Sequence, residues 1–144
     1  DTIPAYLNYK VHAEGTSLYN TPPVFAIYAL GLVLQWVKEI GGLPEVERRA
    51  ARRAELIYGA IEASSGWYRC PVPALFRSKM NIVWRLPSEE LEALFIKEAA
   101  SAGMIQLKGH RSVGGIRASV YNAMPVEGAE TLASFMADFQ KKHG

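Results

Sequence analysis

Cysteine is almost missing from this 144-residue chain, where Cys70 stands alone. No intrachain disulfide can form, so the fold must rest on packing, and a reducing compartment is the natural setting. With no histidine near it in sequence, Cys70 reads as a small buried hydrophobe beside Pro71 rather than as a nucleophile. Net charge of either sign is also scarce. Sixteen Lys and Arg oppose fourteen Asp and Glu, too small an excess to argue for a nucleic acid or an anionic membrane as partner. The arginines at 48, 49, 52 and 53 do cluster, but they alternate with Glu45, Glu47 and Glu55, and the group reads as a solvated helix face. No apolar run reaches the roughly twenty residues of a membrane span. No signal peptide opens the chain, and the cytoplasm is the expected location. A Walker-type loop, a Ser/His/Asp set, metal-ligand spacing, internal repeats and low-complexity tracts are all missing as well. The opening residues, Asp1-Thr2-Ile3-Pro4, read as mid-sequence, which suggests a fragment or a cleavage product.

What is present suits a soluble globular chain, with 49% apolar and 21% charged residues. The length fits one domain, or a small domain with an attached piece. Residues 1–19 read as irregular or extended. A helix is predicted over 24–40. Asn20 or Thr21 can cap it, Pro22 and Pro23 suit the first turn, and Gly41-Gly42 stops it. This helix is apolar nearly all round, with Gln35 its only strongly polar side chain over 24–37. A helix of that kind needs cover on every face, from another domain or from a partner subunit. A second helix is predicted over 44–63, an extended piece over 67–73, a strand over 80–86 and a helix over 89–102 capped by Ser88. Short strands are predicted over 104–107 and 116–121, and a last helix over 126–142. The order gives an α+β fold, an α/β sandwich in which a small, mostly antiparallel sheet is covered by helices.

Two places can carry chemistry. A helix N-terminus attracts anions, and Asn20 and Thr21 add side-chain donors there, although simple capping is the more ordinary reading of those two residues. The second place is Gly109-His110-Arg111-Ser112-Val113-Gly114-Gly115-Ile116-Arg117. Glycine allows close backbone approach to a ligand, and arginine forks match carboxylates and phosphates. Arg117 at the start of a strand and Arg111 in the loop before it can address two ends of one small dianion. Two surface arginines beside a glycine turn is the competing reading, and the density of Gly, His and Arg brings the two level. His110 can shuttle a proton, donate to an anion or serve structure. His12 and His143 stand alone and are expected to face solvent.

Longer segments carry a resemblance. They are Ser17-Leu18-Tyr19-Asn20-Thr21-Pro22-Pro23, the stretch from Trp36 through Gly41-Gly42-Leu43, and Arg77-Ser78-Lys79-Met80-Asn81. Leu107 to Gly115 and Arg117-Ala118-Ser119-Val120-Tyr121-Asn122-Ala123 complete the set. In this order, over about residues 6–140, the chain resembles the C-terminal part of the phosphoserine aminotransferases, fold-type I enzymes that depend on pyridoxal phosphate. The resemblance implies that 1–43 closes a large domain and carries a buried interface helix, and that 44–144 is the C-terminal small domain. It implies a homodimer in which Asn20 and Thr21 reach the cofactor phosphate of the other subunit. It places His110 and Arg111 at the substrate phosphate and Arg117 at the substrate α-carboxylate. The reaction implied moves an amino group between glutamate and 3-phosphohydroxypyruvate, in serine biosynthesis. One departure limits it. The family's cofactor-bearing lysine lies upstream of these motifs, and lysines 10, 38, 79, 97, 108, 141 and 142 do not sit in its motif. No residue of this chain is therefore assigned as catalytic, and the chain alone is expected to be inactive. The rival expectation is a non-catalytic α/β module that binds an anion or a partner.

Overall fold

The structure, a computed structural model, describes residues 3–144, so the first two residues of the expected irregular stretch lie outside it. Contacts divide the chain into two units, one ending at Gly42 and one spanning Leu43–Gly144.

In the first unit a 3-10 turn over Ala5–Leu7 leads into α1, Tyr9–Glu14. The irregular stretch expected here is thus partly helical. Asn8 is the reason, since its side chain accepts from Lys10 N–H at 3.0 Å as an N-cap. Thr16 and Ser17, at φ of 51° and 62°, turn the chain out of the helix. His12 does not stand alone. Its Nε2 lies 2.6 Å from the Tyr6 carbonyl, and the rings of Tyr6 and Tyr19 meet it edge-on. The second helix, α2, spans Val24–Glu39 with Pro23 as its N-cap and no side-chain capping bond. Neither Asn20 nor Thr21 caps it. The two prolines shift the helix start beyond the two- or three-residue reach of a capping side chain. No residue of α2 is buried, and Phe25 is 81% exposed.

The second unit opens on α3, Gly42–Ala63 as a helix, whose buried stripe is Ala50, Arg53, Ala54, Ile57 and Ile61. Arg53 therefore does not belong to the solvated face. It sits three residues after Ala50 and four before Ile57, on the core side of the helical repeat. Arg48 and Arg52 do face water, paired with Glu45 and Glu55. Strand β1, Asn81–Trp84, pairs antiparallel with β2, Ile116–Ser119, in a register that sets Val83 beside Arg117 and Trp84 beside Ile116. A single bridge between Arg69 and Arg85 adds the expected extended piece to this sheet. Between the strands lies α4, Glu89–Ser101, capped by Ser88, whose hydroxyl accepts from Leu91 N–H. The chain closes with α5, Val126–His143. The α+β class read from the sequence is the one found, a small antiparallel sheet with helices against it.

The strand expected over 104–107 does not form. Gly103 N–H and Met104 N–H bond back to Ala100 and Ala99 and close the end of α4. Gln106 then takes φ of 65°, which breaks an extended run. Only Leu107 and Lys108 reach β2, through one bridge and the bond from Arg117 N–H to the Leu107 carbonyl.

The core of this unit centres on Phe95, which is fully buried. Rings of Tyr68, Trp84, Phe135 and Phe139 lie 5.0–6.1 Å from it, all four edge-on. The Tyr68 hydroxyl, buried among them, donates to the Met136 carbonyl at 2.8 Å, and burial pushes its pKa up. His143 is half-buried, with its ring against Phe139 and its Nε2 3.2 Å from Glu98, so it does not face solvent alone either.

Candidate functional site

The glycine-arginine segment is a closed hairpin leading into β2. Gly109 N–H donates to the Gly115 carbonyl, and the N–H groups of Val113 and Gly114 both donate to the His110 carbonyl. The glycines are required by contact. A Cβ at Gly109 would overlap the Gly114 carbonyl. One at Gly115, where φ is 74°, would lie 2.7 Å from Arg85 Cδ. The tip, from His110 to Gly114, is exposed. His110 Nδ1 lies 3.3 Å from Ser112 N and 2.7 Å from the Ser112 hydroxyl, which leaves Nε2 unengaged at the exposed tip. His110 and Arg111 thus present ring and guanidinium nitrogens at the tip.

Arg117 is the second residue of β2. Its neighbours Ile116 and Ala118 point into the core, which turns Arg117 and Ser119 to the other face. Arg117 also lines a cavity of about 550 Å³, together with Leu107, Ala118, Ser119, Val120 and Met124. Its Nε is buried and makes no hydrogen bond. A buried donor without a partner is costly, a condition that Arg53 and Trp84 share with Arg117, and an arginine fork is suited to an anion. The hairpin therefore brings His110, Arg111 and Arg117 onto one continuous segment of the Leu43–Gly144 unit. Asn20 and Thr21 belong to the other unit, where both are exposed ahead of α2.

Two residues near this segment, Arg53 and Arg85, were not legible as participants in the sequence. Arg53, fully buried, donates from Nη1 to the Met124 carbonyl at 2.9 Å and so anchors the chain after β2. Burial first, and then the neighbouring Arg49, lowers its pKa. Arg85 donates to the Val113 carbonyl at 2.8 Å and pairs with Glu92 at 2.8 Å. The only sequence signal for Arg85 is its place directly after Trp84, the residue that pairs with Ile116. The segment 77–81 has a structural part. Ser78 Oγ accepts from the N–H groups of Met80 and Asn81, and Asn81 Oδ1 accepts from Ser119 and Tyr121.

A small antiparallel sheet covered by helices, with this sequence, has counterparts among known proteins. The chain belongs to the class-V aminotransferase family, whose model matches residues 3–132. Within that class its relatives are phosphoserine aminotransferases, as the motif resemblance implied. It is 59% identical over 143 residues to phosphoserine aminotransferase 1, chloroplastic, of Arabidopsis thaliana, a match over 99% of this chain and 33% of that protein. The solved phosphoserine aminotransferase of Bacillus circulans subsp. alkalophilus matches at a TM-score of 0.91 and 49% identity, over 99% of this chain and 39% of that one. A pyridoxal-phosphate-bound phosphoserine aminotransferase from Trichomonas vaginalis matches at a TM-score of 0.83 and 32% identity, over 94% of this chain and 39% of that one. The chain thus spans between a third and two fifths of the length of these relatives.

Proposed function

We propose that this chain is the C-terminal part of a phosphoserine aminotransferase, moving an amino group between glutamate and 3-phosphohydroxypyruvate in serine biosynthesis. The observation that carries the reading is the one segment that holds exposed His110 and Arg111 at its tip and a buried, unpartnered Arg117 Nε at its base. It offers two separate donor sets for a substrate with an anion at each end. In this reading His110 and Arg111 hold the phosphate, and Arg117 holds the α-carboxylate and so fixes which bond of the substrate faces the cofactor. Residues 1–43 close the large domain and 44–144 form the small domain.

The residues present suit pyridoxal phosphate. Asn20 and Thr21 are exposed and leave the capping of α2 to the backbone, so an amide and a hydroxyl are on offer to a phosphate. They would hold that phosphate across a homodimer. When bound, pyridoxal phosphate supplies the electron sink for amino-group transfer. The attaching lysine is assigned to the part of the protein that precedes this chain, so the chain alone is inactive. The exposed apolar α2 supports a surface covered in the full-length dimer. The cytoplasm is the proposed location. Among the described residues no single helix is long and apolar enough to cross a membrane.

The test uses full-length enzyme. Arg117→Ala lowers kcat/KM for glutamate by about a hundredfold, the scale of losing a charged, partly buried hydrogen-bond pair, while cofactor content after dialysis is kept. Asn20→Ala does the reverse and speeds cofactor loss. Unchanged glutamate kinetics in Arg117→Ala would sink the assignment.

A further inference from the structure

The tip of the 109–117 segment has nothing apolar to fix it. His110 through Gly114 are exposed, and the Val113 side chain, the only apolar one among them, is 70% exposed. A loop held by its own turn bonds alone opens readily. The structure shows one side chain laid across it. Arg85 follows Trp84, whose register partner is Ile116, and its stem packs on Gly115, where the missing Cβ leaves it room to pass. The guanidinium then bridges two acceptors, the Val113 carbonyl at 2.8 Å and the Glu92 carboxylate at 2.8 Å. Glu92 is 7% exposed, in the first turn of the capped helix α4, and it also accepts from Leu86 N–H at 3.3 Å. The order of support runs from a fixed helix end, through a nearly buried carboxylate and a planar guanidinium, to the carbonyl two residues after Arg111. A charged, two-ended bridge of this kind has geometric demands that a lysine meets only in part.

We propose that Arg85, oriented by Glu92, is a positioning residue that sets the His110–Arg111 tip for the phosphate end of the substrate. This rests on the assignment of His110 and Arg111 made above. Arg85 does not touch the substrate in this account. It acts through the backbone at Val113, as outer partners commonly act on the groups that bind.

The experiment uses full-length holoenzyme carrying Arg85→Met, Arg85→Lys or Arg111→Ala. It reads amide hydrogen exchange over 109–115, kcat and KM for 3-phosphohydroxypyruvate, and cofactor content. Arg85→Met is expected to speed exchange at Val113 and Gly114 and to raise KM about tenfold, the scale of one charged hydrogen bond. Its kcat and cofactor content stay near those of the parent, and Arg85→Lys recovers part of the KM. Should Arg85→Met fail to fold, Glu92→Gln replaces it, with the same expected pattern at smaller size. Unchanged exchange overturns the proposal. So does faster exchange with an unchanged KM when Arg111→Ala still raises KM. If Arg111→Ala leaves KM unchanged as well, the phosphate assignment itself has failed, and the positioning role falls with it.

Discussion

Two helices meet opposite fates in this molecule, and the more apolar of them is the one left exposed. In the unit ending at Gly42, α2 carries Phe25, Ile27, Leu30, Val33 and Leu34, each more than half exposed, and buries nothing. In the Leu43–Gly144 unit, the shorter α4 sinks Phe95 and Ala99 completely and holds Glu92 in place beside them. The second unit satisfies its own apolar surface with an aromatic cluster drawn from α4, α5, β1 and the loop that carries Tyr68. The first does not, and in the proposed full-length dimer its helix is where cover from elsewhere would count. A contact-rich unit can carry a defined binding segment, whereas an exposed apolar helix carries information about a neighbour.

That contrast can be broken by substitution, and the largest effect falls in the second unit. Phe95→Ala removes the centre of the aromatic cluster and is expected to cost about 3–5 kcal/mol in denaturant unfolding of the 144-residue chain. Phe25→Ala in the same chain changes stability by less than about 0.5 kcal/mol, as exposed positions do. In full-length enzyme the Phe25→Ala effect grows if α2 is covered there. Equal effects of Phe25→Ala in the chain and in the full-length enzyme would remove the contrast.

A smaller effect sharpens the picture of the core. Tyr68→Phe keeps the ring and leaves the Met136 carbonyl without its donor, which is expected to cost about 1 kcal/mol in the same unfolding experiment. The smallest effect lies on the wet face of α3. Hydrogen bonds from Arg48, and then from Arg49, hold the Glu45 carboxyl at a pKa of about 2 against an ordinary 4.5. A depressed folded-state pKa stabilises fully above the ordinary value and is lost as pH falls through the depressed one. Glu45→Gln therefore weakens the chain slightly at neutral pH, and its difference from the parent fades between about pH 4.5 and pH 2. Thermal melts across that window check the sign. Salt also shrinks this difference, because the group is at the surface.

Much of this architecture is legible in the residues themselves. Helices α2 to α5 announce themselves through glycine stops, Ser88 as a cap and the stripe of Leu132, Met136 and Phe139. Strands β1 and β2 follow from alternation, and the glycine spacing of 109–115 marks a turn that the backbone needs. Failures occur where a local signal yields to a contact. The run 104–107 looks extended, but the closure of α4 uses Met104 and the φ of Gln106 breaks the rest. Arg53 carries a surface residue's chemistry and a core residue's position, and only helical phase separates the two. The Asn8 cap of α1 is a short-range signal that a longer polar run conceals. Of the candidate site, His110, Arg111 and Arg117 are legible because they adjoin in sequence. Arg85 is not, since its contact with Val113 crosses 28 residues and exists only through strand register.

The central claim is that the hairpin separates two anion ends, with phosphate at His110 and Arg111 and carboxylate at Arg117. Competitive inhibition of the full-length enzyme by inorganic phosphate tests it most directly, since phosphate has no carboxylate to engage. The account predicts that Arg111→Ala weakens phosphate inhibition by about tenfold or more, one charged hydrogen-bond pair, while Arg117→Ala leaves it near the parent value. Equal weakening in both variants, or none in Arg111→Ala, would contradict it.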